Sequence, residues 1–233
     1  MSNKHLLLEK VSVILPTYNE SATISKIIHE IKLLNKLYVL EIIVVDGNSS
    51  DNTVELARKE KVIVMARDKK YGKGADFWHA SQKATGDYIV QIDADCQFLP
   101  SEIPLLVTAL IQGADVAIAR RVSHSDAPYI RTLGNYIFAS ITTILIGKRI
   151  YDVVAGFKAF RRQALLSLSL KDPHFGYEGE IVLKAVRMGY KLAQVPVRYR
   201  ARLSGQSQVS PLRDGLLTIW SLFKARFSRL PDY

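Results

Sequence analysis

The chain of 233 residues contains one cysteine, no hydrophobic run of membrane-spanning length and no clustered histidines. With Cys96 alone, an internal disulfide is excluded, and this cysteine usage is typical of a reducing compartment. The apolar run 136–146 is too short to cross a bilayer, which takes roughly 20 residues. The apolar run 6–8 gives way at once to Glu9 and Lys10, so it is too short for a signal peptide. The five histidines are scattered, and a histidine metal site is not expected.

Nucleic-acid signals are also missing, because the chain has no zinc-ligand spacing, no helix-turn-helix pattern and no aromatic-rich RNA motif. What is present is a globular composition, 48% hydrophobic and 23% charged, which supports a buried core. The net charge of +10 is unevenly distributed: residues 1–119 carry 13 basic and 15 acidic side chains, and residues 120–233 carry 19 and 7. The second part should therefore attract anions, such as phosphates or an anionic membrane surface.

Apolar segments of two kinds alternate along the first 119 residues. Short extended runs predict strands, and longer stretches with helical spacing predict helices. The predicted strands are 11–15, 40–45, 62–65, 88–92 and 116–119, and the predicted helices are 24–34, 54–57, 74–84 and 103–112. This alternation predicts an α/β fold with a Rossmann-like, mostly parallel sheet flanked by helices. In such a sheet, ligands bind beyond the carboxyl ends of the strands.

Two acids directly follow the fourth predicted strand. Asp93 and Asp95 are separated by one residue, and alternate side chains of an extended segment share a face. Two hard oxygen ligands at a strand end suit Mg²⁺ or Mn²⁺ that carries the phosphates of a substrate. The alternative for so short a pattern is a solvated turn.

Polar clusters follow the first, second and fifth strands as well, at residues 16–20, 46–51 and 120–121. Asp46, after the second strand, can accept hydrogen bonds from a nucleobase or a ribose, or it can serve turn and cap chemistry alone. The run 69–74 combines glycine freedom with positive charge and suits phosphate contact, although it lacks the spacing of a P-loop. Arg120 and Arg121 follow the fifth strand.

Together these motifs resemble the family 2 glycosyltransferases of the GT-A fold. Within that family the chain is most similar to dolichyl- or polyprenyl-phosphate mannose synthases and their hexosyl relatives. The resemblance covers residues 11–209 and depends on segments 13–20, 44–51, 72–74, 93–97, 156–158, 196–200 and 205–207. It implies a metal-dependent inverting transferase that moves a hexose, with mannose from GDP-mannose expected, to a polyprenyl or dolichyl phosphate.

The resemblance also implies roles for individual residues. The nucleotide sugar would be held by Pro16, Tyr18, Glu20, Asp46, Lys73, Asp93, Arg200 and Arg202. The metal would be held by Asp93, Asp95 and Gln97. The acceptor phosphate would be held by Arg120, Arg131 and Asn135, and the catalytic residues would be Asp93, Asp95 and Arg131. Three departures weaken the identity of the donor: Gly47 stands where the family often has a second Asp, Ala155 where it often has Ser, and Gln208 where it usually has Lys.

The nature of the acceptor can be argued from charge. An alcohol nucleophile would need a carboxylate base, whereas a phosphate monoester is already anionic at neutral pH and needs only cations to position it. The surplus of arginine from residue 120 onward therefore favours an anionic acceptor. Glu178 and Glu180 are the candidates if a base exists, and their alternative role is to face the N-terminal dipole of the helix predicted at 181–188.

The segment 211–233 is predicted to be a basic amphipathic tail helix that follows a glycosyltransferase domain at 1–210. Its apolar residues recur at helical spacing among four cations, which is typical of a helix that lies in a membrane interface. The alternative for this helix, and for 136–146, is packing on the sheet or on a second copy. We expect a peripheral protein on the cytoplasmic face of a membrane, whose partners are a nucleotide sugar, a lipid phosphate and the membrane surface. A homo-oligomer or a small membrane subunit is a further option.

Two other functions remain open on the sequence alone. A UDP-sugar donor with a saccharide or another soluble acceptor would suit the same motifs. The chain could instead be an inactive GT-A domain that serves as a membrane-associated partner, although the intact pair Asp93 and Asp95 argues against this.

Overall fold

The computed structural model describes residues 8–122, 129–203, 211–227 and 229, with the backbone alone at 129–133 and 211–216. Within this part of the chain, seven strands form one sheet, and eight α-helices accompany it. The strands are β1 Lys10–Thr17, β2 Val39–Asp46, β3 Ile63–Ala66, β4 Tyr88–Ile92, β5 Val116–Arg121, β6 Phe157–Arg161 and β7 Leu192–Val197. The helices are α1 Ile24–Lys32, α2 Thr53–Lys59, α3 Lys73–Ser81, α4 Ile103–Ile111, α5 Tyr129–Ile146, α6 Arg162–Leu168, α7 Tyr177–Arg187 and α8 Pro211–Phe227.

The strand order in the sheet is β3-β2-β1-β4-β6-β5-β7. Every neighbouring pair is parallel except the two pairs that involve β6, which runs antiparallel between β4 and β5. The predicted mostly parallel α/β sheet is therefore confirmed, and its five predicted strands are present. Strands β6 and β7 were not predicted, because β6 contains a lysine within an apolar run and β7 contains a proline.

The sheet separates two apolar layers. Side chains of β1 alternate between them, so that Val13 and Leu15 face one layer while Ile14 faces the other. Helices α1 and α4 cover the first face, and α3, α6 and α7 cover the second. Helix α1 buries four isoleucines at helical spacing, Ile24, Ile27, Ile28 and Ile31, as its sequence pattern predicts. These layers fix the strand ends that carry the polar clusters.

Helix α8 packs against α7 and α5 rather than lying apart from the sheet domain. Leu222 and Ala225 of α8 are buried with Leu183 of α7, and Arg187 Nη1 donates a 2.6 Å hydrogen bond to the Ala225 carbonyl. A Cβ on Gly179 would lie 2.3 Å from Leu222 Cδ2, so that glycine permits the close approach of the two helices. The division of the chain at residue 210 stays a prediction.

Helix α8 has an unusual distribution of side chains between its buried and its exposed face. Small and polar side chains, among them Thr218 and Ser221, point inward and are buried. Large apolar side chains point outward, with Trp220 70% exposed and Phe227 77% exposed. Helix α5 is similar, since Thr142 is buried while Tyr136, Ile137 and Ile144 are exposed. No helix among the described residues has both the length and the apolar character that a membrane crossing needs.

Candidate active site

The predicted acid pair lies in the turn that follows β4, at the carboxyl edge of the sheet. Asp95 is 8% exposed, and its Oδ1 accepts a 3.1 Å hydrogen bond from the Gln97 backbone N–H. Burial and then the neighbouring charge of Asp93 raise the pKa of Asp95 to about 6. The two carboxylates are thus close enough to interact. They lie in a turn, however, and not in the extended segment on which the shared-face prediction depends.

Each of the two acids faces a cation from a different part of the chain. Lys73 Nζ, at the start of α3, lies 2.7 Å from Asp93 Oδ1. Arg202 Nη1 lies 3.7 Å from Asp95 Oδ2 and also forms an ion pair with Glu20, which follows β1. Burial alone would lower the pKa of Lys73, but the carboxylates of Asp93 and Glu178 override it and hold the pKa above its usual value. Lys73 is therefore a permanent cation at this site.

Arg202 reaches the acids because the segment after β7 is fastened to the turn after β4. The Arg200 backbone N–H donates to the Gln97 carbonyl at 2.9 Å, and Gln97 Nε2 donates to the Arg200 carbonyl at 3.2 Å. Phe98 and Tyr199 add an edge-on ring contact with centroids 5.0 Å apart. Burial raises the pKa of Glu20 to about 6 against the opposing charge of Arg202. The predicted residues Glu20, Asp95 and Arg202 therefore meet in one cluster.

A buried polar network lies beneath Asp93 and forms what we call the floor, made of Gln91, Lys158, Tyr177 and Glu178. Lys158 on β6 is fully buried and forms an ion pair with Glu178, and its Nζ also donates to the Ala155 carbonyl at 2.5 Å. Gln91 Nε2 donates to the Tyr177 hydroxyl at 2.6 Å. Burial would raise the pKa of Glu178, yet Lys158 and Lys73 hold it below its usual range. Glu178 is thus an ionised, paired carboxylate.

Gly156 leaves the space that the Asp93 carboxylate occupies. A Cβ at position 156 would lie 2.0 Å from Asp93 Oδ2 and 2.6 Å from Asp93 Oδ1. No side chain could be accommodated there without moving the carboxylate. This explains in physical terms why glycine stands before Phe157 and Lys158.

Glu180, the second candidate base, has a structural role. Its Oε2 accepts hydrogen bonds from the backbone N–H groups of Lys171, at 3.0 Å, and Asp172, at 2.8 Å. Its Oε1 lies 2.6 Å from Lys184 Nζ, and that ammonium donates to the carbonyls of residues 168 and 169. The segment 171–172, which Glu180 holds in place, packs on the glycines that flank Lys73. A Cβ on Gly74, for example, would lie 2.3 Å from the Asp172 carbonyl. Glu180 therefore supports Lys73 from a distance.

The predicted nucleotide side of the site lies at the ends of β1 and β2. Pro16 is buried in β1, and the Tyr18 ring lies 3.9 Å from Lys70 Nζ. Asp46 is buried and accepts hydrogen bonds from the Ser49 N–H, at 2.8 Å, and the Ser49 hydroxyl, at 2.5 Å. These are the contacts of the turn-and-cap alternative. The contact of Asp46 with a base or ribose stays a prediction.

The space beside Gly47 is taken by a carboxylate from another element. A Cβ on Gly47 would lie 3.1 Å from Asp76 Oδ2 on α3. Asp76 is 4% exposed and lies 3.2 Å from Arg67 Nε. Burial, opposed by Arg67 and reinforced by Asp46, raises the pKa of Asp76 to about 6. Sequence reasoning missed this residue, because nothing local links α3 to the turn after β2.

A separate pocket of about 380 Å³ lies beside the end of β5 and brings together two predicted acceptor residues. Arg120 and Asn135 both line it, with Tyr136 and Tyr151. Arg120 Nε is buried and makes no hydrogen bond within the described residues, and its guanidinium lies 5.0 Å from the Tyr151 ring. The neighbouring Arg121 is instead committed to Asp152, with contacts of 2.6 and 2.8 Å.

The remaining predicted residues have different outcomes. Arg131 lies in α5, but its side chain lies outside the described residues, so its predicted role stays a prediction. Arg200 is exposed, and its backbone makes the contacts with Gln97 given above. The side-chain amide of Gln97 makes a structural hydrogen bond, and its role as a metal ligand also stays a prediction.

The donor atoms at the strand end fit a hard divalent cation that arrives with phosphates. Mg²⁺ is usually held by one or two carboxylates together with substrate phosphate oxygens, and Asp93 and Asp95 supply two carboxylates at one place. Both acids already face cationic side chains, so positive charge is stabilised there. No cluster of three or more His, Cys, Asp or Glu side chains suited to a metal occurs in the described ranges.

The fold and the site define a nucleotide-sugar transferase of the GT-A class: a mostly parallel sheet with an acid pair at the carboxyl end of a central strand. The sequence pattern of glycosyl transferase family 2 matches residues 12–168, and the chain belongs to this family. The chain is 32% identical over 210 residues to a dolichol-phosphate mannosyltransferase of Pyrococcus furiosus, with 86% of this chain and 59% of that protein covered. It is 28% identical over 218 residues to a polyprenol monophosphomannose synthase of Mycolicibacterium smegmatis, with coverages of 87% and 82%. The chain therefore spans less than two thirds of the first of these relatives and most of the second.

A solved structure with the same fold is glucosyl-3-phosphoglycerate synthase of Mycobacterium tuberculosis. The TM-score is 0.79 at 26% sequence identity, with 96% of this chain and 81% of that chain covered. That protein was crystallised with Mn²⁺, UDP and glucosyl-3-phosphoglycerate, and in another crystal with Mg²⁺ and UDP. Divalent metal use in this chain is consistent with those complexes.

Proposed function

We propose that this chain transfers a hexose from a nucleoside-diphosphate sugar to a polyprenyl or dolichyl phosphate at a membrane surface. The observation that carries the proposal is the acid pair with its two cations, in a protein that also has an arginine pocket beside an exposed apolar helix. The names of the two relatives support the lipid-phosphate acceptor.

The site supports a reaction without a general base. Glu178 is 3% exposed and paired with Lys158, and Glu180 is engaged with backbone N–H groups. A phosphate monoester needs no base, because it is an anion at neutral pH. A bound Mg²⁺ or Mn²⁺ would supply electrostatic stabilisation of the departing diphosphate. Lys73 and Arg202 lie where they can add positive charge to the same group.

The Arg120 pocket is suited to hold the acceptor phosphate. Its buried Nε has no partner within the described residues, and a buried donor gains most from an anionic partner. Tyr136 lines the pocket and is also exposed on α5, so the pocket adjoins the apolar surface. A lipid phosphate could therefore enter the pocket while its chain stays in the membrane.

The outer faces of α5 and α8 support contact with the membrane surface. Their exposed side chains are large and apolar, and Lys224 and Arg226 lie among them on α8. Apolar residues beside cations are typical of helices that lie in an anionic interface. The proposed contact involves two packed helices, which contain the two segments, 136–146 and the tail, that the sequence indicated for the membrane surface.

The test is a transfer assay with labelled GDP-mannose or UDP-glucose and vesicles that contain polyprenyl phosphate. We expect metal-dependent label in the organic extract for the natural chain and a loss of about 100-fold or more for Asp95→Asn. Label that enters only water-soluble phosphorylated or saccharide acceptors would overturn the lipid assignment. In the same assay Arg120→Gln should raise the apparent KM for lipid phosphate more than for the nucleotide sugar.

A further inference from the structure

We propose that Lys73 occupies, in the donor-free protein, the position at Asp93 that a divalent cation needs, and that Glu178 receives Lys73 when the cation binds. The proposal rests on the proposed function in so far as the cation accompanies a nucleotide diphosphate. It makes Lys73 a competitor of the metal and Glu178 a positioning residue, whereas sequence reasoning gave Lys73 only a contact with donor phosphate.

The distances show two alternative partners for one ammonium group. Lys73 Nζ lies 2.7 Å from Asp93 Oδ1, which is a direct ion pair. The same atom lies 3.7 Å from Glu178 Oε1, a longer ion pair that a movement of about 1 Å would shorten to hydrogen-bond distance. The lysine does not have to leave the site in order to release Asp93.

Glu178 is oriented to accept the ammonium group. Its Oε2 forms an ion pair with Lys158, while its Oε1 lies 3.7 Å from Lys73 Nζ and accepts a 3.4 Å hydrogen bond from Gln91 Nε2. The Tyr177 hydroxyl also hydrogen-bonds to this carboxylate. An ionised carboxylate has about four acceptor sites. Lys158, Gln91 and Tyr177 engage three of them, so the carboxylate retains capacity for Lys73. The ion pair with the buried Lys158 prevents Glu178 from moving toward Asp93 instead.

The local charge explains why the contact with Asp93 forms in the donor-free protein. Asp93, Asp95 and Glu178 place three negative charges around Lys73. Lys158 pairs with Glu178 and Arg202 faces Asp95, which leaves Asp93 to Lys73. Without a metal, Lys73 is the cation closest to Asp93 among the described residues. Because a metal ion would need the position that Lys73 occupies, the apparent affinity for metal falls with the fraction of molecules in which Lys73 has left Asp93.

A lysine that only binds phosphate would behave differently. Its removal would weaken binding of the nucleotide and leave the affinity for metal alone unchanged. A lysine that competes at Asp93 gives opposite signs for the two ligands: removal tightens binding of metal alone and weakens binding of the nucleotide diphosphate.

The experiment is a titration of the full chain with Mn²⁺ in the absence of nucleotide. Calorimetry and electron paramagnetic resonance measure the binding. For Lys73→Met we expect Mn²⁺ to bind about 5- to 150-fold more tightly than to the natural chain. For Glu178→Gln we expect weaker binding of Mn²⁺ alone, because Lys73 loses its alternative partner. Lys83→Met, which removes an exposed lysine just after α3, corrects for the change in net charge.

A second titration with GDP and UDP in saturating Mn²⁺ should show weaker nucleotide binding by Lys73→Met. Unchanged or weaker Mn²⁺ affinity in folded Lys73→Met would overturn the proposal. If that variant does not fold, Lys73→Gln keeps the length and polarity of the side chain and has the same expected outcomes. If the natural chain binds Mn²⁺ and a nucleotide but substitution of Lys73 leaves the affinity for Mn²⁺ unchanged, this inference alone fails. If the natural chain binds neither, the proposed function fails as well.

Discussion

Lys158 is fully buried beneath the acid pair, whereas Trp220 on α8 leaves 70% of its surface in water. The floor of the site thus encloses charge inside the protein, and the faces of α5 and α8 expose large apolar groups outside it. Both arrangements cost free energy in an isolated soluble domain, because charges are normally solvated and large apolar groups buried.

The two regions differ in how that cost is offset. In the floor, the charges have partners within the chain: Lys158 has Glu178 and the Ala155 carbonyl. The exposed helix faces have no such partner among the described residues, and a surface of this kind marks an interaction site. The charges of the floor are therefore neutralised within the chain, whereas the exposed helix faces require a partner or a surface outside the chain.

The largest expected effect comes from breaking the floor. Lys158→Met leaves Glu178 buried without its main partner, which typically costs about 3–5 kcal/mol in the free energy of unfolding. Urea unfolding measures this loss. The double variant Lys158→Met/Glu178→Leu should recover most of it, since it removes both charges. Equal destabilisation by the single and the double variant would mean that packing, and not charge, holds the floor together.

A sharper test of the floor concerns the position of Asp93. Gly156→Ala introduces a Cβ where the Asp93 carboxylate lies, so the carboxylate must shift. A shift of about 1 Å in a catalytic group can cost about 100-fold in rate. We expect a loss of that order in transferase activity and weaker Mn²⁺ binding in the folded protein. Gly134→Ala is the matched control, because its Cβ would have no neighbour closer than 4.0 Å.

Asp76 is a buried acid without a full set of partners, so its effect on stability can be compared with that of the paired charges in the floor. Its pKa of about 6 in the folded protein lies above the ordinary 3.8, so the folded state binds the proton more tightly. Stability therefore falls as pH rises from about 4 to about 6, and is constant above that window. Asp76→Asn should be more stable than the natural chain by on the order of 1–2 kcal/mol at pH 7.5 and nearly equal to it at pH 4. A gain of the same size at both pH values would contradict the shifted pKa.

The smallest effect on stability is expected on the outer face of α8. Trp220→Gln and Phe227→Gln should change the free energy of unfolding by no more than about 0.5 kcal/mol. Co-sedimentation with anionic vesicles should nevertheless fall, and binding by the natural chain should weaken as salt rises. Leu222→Ala, on the inner face, should instead destabilise by about 2–5 kcal/mol. Unchanged vesicle binding by the two outer variants would remove α8 from the membrane proposal.

Point substitutions are better suited to this question than truncation after residue 210. Helix α8 packs on α7 at Gly179, and α7 carries Glu178. Removal of α8 would expose Leu183 and disturb the floor itself. A truncated protein would therefore confound the two regions that the comparison separates.

The sequence by itself determined the fold class, the first five strands and the acid pair. These depend on local information: apolar runs of 4 to 8 residues make strands, and polar residues that follow them lie at one edge of a parallel sheet. The family resemblance, and not this local reasoning, assigned Arg120 and Asn135 to one acceptor site, and helical spacing indicated an apolar stripe in the tail.

Only the tertiary structure decided which charges neutralise each other. Lys73 meets Asp93, Lys158 meets Glu178, and Arg202 meets Glu20 across long stretches of chain. It also decided that β6 enters the sheet antiparallel and that Asp76 occupies the space beside Gly47. The physical reason is that an ion pair or a close approach between distant segments depends on how several elements pack together, and no periodicity within one segment encodes it.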